Sequence, residues 1–591
     1  MFAVDSILRE KPGVGKRWLK VIYAVAALVC CYLTLEPLAG HISRSIRMVC
    51  GLLCVISVLR SGAGADRIKK VFDRPWKKIL QALLEMYGTF AMVGMYVLPS
   101  GIEPDVKYPA WFFFILAFFW MHPVMKCFIA FLIKTGDTVS VERHETGLKA
   151  RFLLMGIVLL PCMVFLAAFN PAITTSDSVY CFEAAHQLWQ PDFSMQDWQP
   201  PFYVFVLNLL LKICDSITFL IVLQCVCFAI VFVDGILFFY YCGFSKKVLG
   251  LFYLFIVFGV SNIIQLVTLW KDIPYMVSIM WLTLLLMKFV MMPGKYAGNT
   301  GWYIQFVIAV IFTAFFRQNG ILPALAVIIL LPVVTKFSKK AVTACILCIL
   351  LMAAVKGPLY RFMNVIPHPP LKFFSLSNDI MYSYYMGDSV SEEAMELINK
   401  ITDDVPDDFA YNPYWVNYNP DEPDGYSVME FLKLYMKNFF EHPRMAVKAV
   451  LTRNSVIWSI VKPVDEVAGC VNCLLDHPSH SPDLFPRRAE NQLTHILEDF
   501  CKWFTERMIL YPFYWRTGIY NLLIVCMAVI TFCTEAGKKL WNLMPYVPIS
   551  VNLAALFISS GWTDYRYFWP AMTISLFLFF YFLYSRSGQS F

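Results

Sequence analysis

Residues 248–291 read VLGLFYLFIVFGVSNIIQLVTLWKDIPYMVSIMWLTLLLMKFVM. Two apolar runs, near 248–267 and 273–291, each approach the length a helix needs to cross a hydrocarbon core. Between them the charged residues Lys271 and Asp272 stand side by side in a Trp-Lys-Asp-Ile-Pro turn. Such a segment satisfies its backbone in lipid only as helices, and reads as two spans with a polar turn at one membrane face. Working outward, runs of the same kind lie near 21–37, 46–60, 80–99, 110–133, 152–169, 216–241, 302–316, 320–335, 341–355, 516–534, 542–560 and 568–584. The expected fold is therefore an all-α polytopic membrane bundle of about fourteen spans, with a small mixed or α-helical extracytoplasmic domain.

Composition agrees. Of 591 residues, 59% are apolar and 15% charged, whereas soluble chains carry about a quarter charged residues. The formal charge of +7 comes from 49 Lys plus Arg against 42 Asp plus Glu. Most of the excess sits in short loops between apolar runs, which reads as membrane topology and not as a nucleic-acid surface. No Gly-rich nucleotide loop is present. The 18 cysteines fall mostly inside apolar runs and imply no disulfide framework. The first twenty residues lack the short apolar core and small-residue cleavage site of a signal peptide.

Lys11, Lys16 and Arg17, the 67–78 cluster, Lys134 to Arg151, Lys246 and Lys247, Lys336 to Lys340, and Lys538 and Lys539 all fall on one side of a single threading. That side is expected to be cytoplasmic, with both termini there; Arg44 and Arg47 dissent. The threading requires that 202–214, after Pro200 and Pro201, lies along the outer surface instead of crossing. Four regions follow: an N-terminal four-span extension (1–150), a transmembrane core with an external loop at 170–215 (151–356), an extracytoplasmic insertion (357–512) and three C-terminal spans (513–591). From Leu376 to Glu430 the insertion has thirteen acidic residues against one Lys. It then turns helical, aromatic and basic over 431–458, as helices resting on headgroups do.

The polar residues of interest all fall on the outer side. Asp177, flanked by Ser176 and Ser178, stands at the start of a helix just past the 152–169 span; it reads either as that helix's N-cap or as a carboxylate base at a membrane boundary. Asp192 and Asp197 lie on the same loop. Lys271 and Asp272 read as interfacial anchors or as site residues, and Arg317 as a snorkelling cation or a phosphate ligand. Asp234 and Glu85 are costly inside apolar runs but lie away from the outer face, and read as structural. Cys470, Cys473, His477 and His480 crowd too closely for a common zinc ligand set and read as a local disulfide or free thiols beside solvated histidines, with a structural metal as the alternative.

The order Asp177-Ser178, then Asp197-Trp198-Gln199-Pro200-Pro201, resembles the first external loop of the GT-C glycosyltransferases. That superfamily includes protein O-mannosyltransferases, the aminoarabinose transferase of lipid A and many bacterial cell-envelope enzymes. Trp270-Lys271-Asp272, Phe316-Arg317-Gln318-Asn319-Gly320 and Asp564-Tyr565-Arg566-Tyr567 are similar to later elements of these enzymes, so the likeness covers 152–584 and leaves out the first four spans. Gln199 stands where relatives commonly have His or Lys. The resemblance implies an inverting transfer of sugar from a polyprenyl-phosphate donor to an acceptor hydroxyl on a glycan, teichoic acid, lipid or protein. It implies Asp177 as catalytic base, with Asp197, Gln199, Lys271, Asp272, Arg317, Asn319, Asp564, Arg566 and Tyr567 as substrate-binding residues. No cofactor or metal ligand is assigned; the superfamily has metal-dependent and metal-independent members. A transporter or lipid flippase, and an O-antigen-type polymerase or ligase, are the alternatives.

Overall fold

The computed structural model describes residues 14–37, 43–60, 64–97, 109–138, 144–145, 147–367, 374–385, 392–393, 396, 428–461, 491–507, 510–534, 539–560 and 564–587. The Cys470–His480 cluster and most of the acidic stretch lie outside these residues. Within them the chain is helical, apart from a two-residue parallel pair, Met195–Gln196 with Val365–Ile366, and one isolated bridge.

Eight helices among the described residues are long and apolar enough to cross a membrane: Trp18–Leu35, Ala110–Asp137, Leu148–Ala168, Ile217–Tyr241, Asp272–Met291, Lys339–Phe362, Leu540–Ser559 and Tyr565–Arg586. Lys246–Val257 and Val260–Val267 make a ninth if taken together, bent by 55°. The other expected spans are helices too. Arg44–Leu59, Thr300–Phe315, Gln318–Val334 and Gly518–Thr534 are shorter, and Pro75–Val97 carries Lys77, Lys78 and Glu85. Pro201–Leu211, with 11 residues, is about 16 Å long, half the thickness of a bilayer core.

Burial separates the centre of the bundle from its rim. In the apolar windows of Asp272–Met291 and Tyr565–Arg586, 83% of residues are buried, and 67% in Ile217–Tyr241, against 22% in Leu148–Ala168 and 17% in Lys339–Phe362. The first three helices are thus wrapped by the others, while the last two present leucines and isoleucines outward, as lipid-facing helices do. Gly235 lets the central helices close up, since a Cβ there would meet the Phe577 ring at 2.7 Å. Phe239, Phe252 and Phe580 pack around that crossing.

Of the N-terminal helices, Pro75–Val97 and Ala110–Thr138 lean on the C-terminal part of the chain. The Phe90 ring lies 4.4 Å from that of Trp458, Ile460 N donates to the Ala91 carbonyl at 2.9 Å, and Arg586 pairs with Asp137 at 2.6 Å. Glu85, expected to be structural, is buried against His122 at 2.7 Å and accepts from Gln81 at 2.8 Å.

The bundle has two polar ends. At one, Asp234 takes Arg151 at 3.3 Å and also Lys288, and Lys340 donates to the Gly298 carbonyl. Segments that the charge bias assigns to a common face do meet there, and Asp234 is a structural ion-pair partner. At the other end lie the loop after Leu148–Ala168 and the turns before Asp272, after Phe315 and before Tyr565. The described parts of the insertion, including Phe374–Tyr385, Val428–Glu441, Pro443–Arg453 and Gln492–Glu506, cover this second end. Buried Arg453 holds down Phe374–Tyr385 and Pro443–Arg453, paired with Asp379 at 2.9 Å and donating to the Ser560 carbonyl, while Thr494 Oγ1 ties Gln492–Glu506 to the Ala168 carbonyl at 2.7 Å.

Candidate active site

Thr175 starts the helix Ser176–Gln187 with a capping box: its hydroxyl accepts from Ser178 N at 3.3 Å, and Thr175 N donates to Ser178 Oγ at 3.0 Å. Asp177 is therefore not the cap, and that reading of it is overturned. Its carboxylate, two residues beyond the cap, turns to tertiary partners. Oδ1 accepts from Gln199 Nε2 at 2.9 Å, and Oδ2 takes Lys271 Nζ at 3.0 Å and Arg566 Nη1 at 3.2 Å.

Each partner arrives by an identifiable route. The helix Lys246–Val257 breaks at Phe258 and Gly259, where Asn262 Nδ2 donates to the Ile256 carbonyl and Asn262 Oδ1 accepts from Trp569 Nε1. This redirects Val260–Val267 toward the site. Gln224 secures its end by donating to the carbonyls of Leu266 and Thr268, both at 2.8 Å. The bridge between Ile173 and Thr268 then lays the two loops side by side, and Trp270 Nε1 donates to Thr175 Oγ1 at 2.5 Å. Lys271 follows directly.

Gln199 is fully buried and joins two of these groups, donating to Asp177 and accepting from Lys271 Nζ at 2.5 Å. It thus orients the ion pair. Arg566 is fixed by Asp564, whose side chain caps the last helix at 2.9 Å and pairs with Arg566 Nε at 2.8 Å. Its guanidinium donates to the Tyr567 hydroxyl at 2.8 Å and stacks on the Trp270 ring at 4.7 Å.

Arg317 sits in a second layer. It pairs with Asp272 at 2.9 Å and lies 4.3 Å from the centre of the Tyr567 ring. Asp272 is 1% exposed and neither of its oxygens has an aligned hydrogen-bond donor among the described residues. Gln318 Nε2 donates to the Asp197 and Trp198 carbonyls, and Asp197 N donates to the Ile366 carbonyl at 2.9 Å, so backbone contacts hold Asp197 beside the site. Asn319 enters indirectly: it donates to Asn552 Oδ1 at 2.8 Å, which also accepts from Tyr275 OH at 2.6 Å. Asp192 is exposed on the loop.

Thr175, Tyr275 and Asn552 were not singled out from the sequence, and Trp270 was named only as part of the turn that carries Lys271 and Asp272. Asn552, fully buried in an apolar run, carries the one signal that would have found it, a polar group inside a membrane segment.

Three carboxylates, Asp177, Asp272 and Asp564, thus meet three cations, Lys271, Arg317 and Arg566, in a nearly closed and formally neutral cluster. Burial pushes the Asp177 carboxyl up, but Lys271 and Arg566 outweigh it and hold the group well below the usual carboxylate range. At Asp564 burial prevails over Arg566 and its proton affinity is raised. No group of three or more His, Cys, Asp or Glu among the described residues has metal-binding geometry. Comparison with models of protein families, with curated proteins and with solved structures finds no match to this chain.

Proposed function

We propose that this chain is a membrane glycosyltransferase of the GT-C type. It would move a sugar from a polyprenyl-phosphate donor to an acceptor hydroxyl at the extracytoplasmic face, threading fourteen spans with both termini cytoplasmic. The observation that carries this reading is the carboxylate of Asp177 set between Lys271 and Arg566 at one end of the bundle. A base and two cations side by side are what an in-line displacement from a phosphate leaving group requires.

Nucleotide sugars are cytoplasmic, so an outward-facing transferase needs a donor carried on lipid. Such a lipid presents its anomeric carbon at headgroup height, where the ends of these helices lie. Asp177 takes the acceptor proton as the hydroxyl attacks, inverting the anomeric configuration. Lys271 and Arg566 hold the departing phosphate, Gln199 keeps Asp177 and Lys271 in register, and Asp564 and Tyr567 aim Arg566. Asp272, Arg317 and Asn319 form the supporting layer. A transporter reading would favour paired broken helices in two related halves; among the described residues one bent pair is present.

Purified protein in detergent, given polyprenyl-phosphate sugars, is expected to release polyprenyl phosphate in the presence of an acceptor extract. No release from any donor in a panel of sugars, by protein shown to be folded, overturns the reading.

A further inference from the structure

The carboxylate that is to act as base and the phosphate that is to leave require the same two cations. Lys271 Nζ and Arg566 Nη1 both contact one oxygen of Asp177, at 3.0 and 3.2 Å. The third cation of the cluster, Arg317, is held away from it on Asp272. The groups around Asp177 are Lys271 from the turn before Asp272–Met291, Arg566, Asp564 and Tyr567 from the last helix, Gln199 from the loop, and Cys181 from its own helix. In this arrangement Asp177 is quenched: a carboxylate under two positive charges is a weak base.

We propose that the donor itself activates the base by charge exchange. A phosphate seated at Lys271 and Arg566 draws both cations off Asp177, and the freed carboxylate then has the proton affinity needed to take the acceptor's proton. The proposal rests on the polyprenyl-phosphate reading above and adds an order of events to it, donor before deprotonation.

The charges balance through the step. The donor enters as a phosphodiester monoanion. The acceptor oxygen forms its bond to the anomeric carbon while the bond from that carbon to the phosphate oxygen breaks. The hydroxyl proton goes to Asp177, and the polyprenyl phosphate leaves as a dianion. The second negative charge appears on the phosphate as the carboxylate loses its own, so Lys271 and Arg566 are held more firmly by the phosphate at the moment Asp177 is neutralised. Without donor, the cations return to Asp177 and the base is off.

Linkage makes this testable without turnover, because whatever phosphate does to proton binding at Asp177, neutralising Asp177 must do to phosphate binding. The probe is farnesyl phosphate, a short polyprenyl phosphate without sugar, with farnesol as control, on the full chain in nanodiscs. Asp177→Asn, which cannot compete for the cations by charge, is expected to bind farnesyl phosphate about tenfold or more tighter than wild type, as expected for at least one unit of pKa coupling. Farnesol should bind both alike. In wild type at about pH 5, above the ordinary carboxylate pKa, carbodiimide modification of Asp177, which requires the protonated acid, should rise when farnesyl phosphate is added; peptide mass mapping separates it from Asp564. Equal or weaker binding by Asp177→Asn overturns the exchange and leaves the transferase reading standing. Unchanged carbodiimide modification does the same and alone decides the matter if the variant does not fold. Farnesyl phosphate binding no better than farnesol in wild type overturns both.

Discussion

The Asp177 carboxylate sits between Lys271 and Arg566, and the Arg317 guanidinium sits on Asp272. Because Thr175 holds the cap, Asp177→Asn tests only the tertiary role of the carboxylate. Transfer is expected to fall by about 10²–10⁴-fold, the contribution of a positioned base, measured as release of polyprenyl phosphate; activity within about threefold of wild type, far short of that loss, would move the role elsewhere. The same variant loses two ion pairs at a side chain 17% exposed, and should cost about 1–3 kcal/mol at neutral pH. The sign follows from the depressed proton affinity of folded Asp177. Its stabilisation is full above the unfolded carboxylate value near 4 and is lost as pH falls toward the lower folded value, so the difference in melting temperature between wild type and variant should shrink in acid. Arg317 read from the sequence as a snorkelling cation or a phosphate ligand, and pairing with buried Asp272 makes it first a counter-ion. Arg317→Met strands that carboxylate and is expected to cost about 3–5 kcal/mol. Arg317→Met with Asp272→Asn should restore much of the melting temperature, since replacing a buried pair together is far milder than halving it; a double variant no more stable than the single would remove Asp272 as the reason. Spacing shows that Asp272 and Arg317 share a face, but not which cation each carboxylate will hold.

The elements that deliver these residues are a broken helix and a tight turn, and they were unequally legible. The apolar run 248–267 reads as one continuous span because periodicity sees no interruption in it. The break at Gly259 is made by tertiary partners instead: Asn262 takes the freed Ile256 carbonyl, Trp569 holds Asn262, and a Cβ on Gly259 would meet the Tyr514 ring at 2.5 Å. Trp569 and Tyr514 lie far outside the reach of a local pattern. The turn around Arg317-Gln318-Asn319 was expected, since two apolar runs meet there at a Gly. The backbones of the two helices approach so closely that a Cβ on Gly320 would lie 1.9 Å from the Thr313 carbonyl oxygen, with the Tyr275 ring at 2.8 Å on another side. Gly320→Ala must therefore push the turn aside, moving Arg317 off Asp272 and Asn319 off Asn552. The expected outcome is an overpacking cost of about 1–3 kcal/mol and a fall in donor affinity larger than that from Gly294→Ala, where a Cβ meets nothing within 4 Å. Indistinguishable thermal melts for the two variants would show that the turn yields without cost.

At the scale of the whole molecule, the membrane class was plain from composition, and the clustering of distant polar turns at one end followed from counting apolar runs between them. The support given by Pro75–Val97 and Ala110–Thr138 was not legible, because Phe90 against Trp458 and Asp137 against Arg586 join segments that no spacing relates. What remains to be tested is which end faces which compartment, and here the charge bias and the geometry give one prediction. Ser194 and the exposed native Cys214 lie on the site loop, while exposed Lys247 stands in the first turn of Lys246–Val257 at the other end. With the remaining cysteines replaced, a membrane-impermeant maleimide applied to intact cells should label Ser194→Cys and Cys214 but reach Lys247→Cys only after the membrane is opened. The expectation follows from Lys and Arg concentrating on the side retained in the cytoplasm. Labelling of Ser194→Cys only after permeabilisation would put Asp177, Lys271 and Arg566 on the side where nucleotide sugars are available. A lipid-carried donor would then have no reason to be required, and the cations would have to be read against a cytoplasmic anion instead.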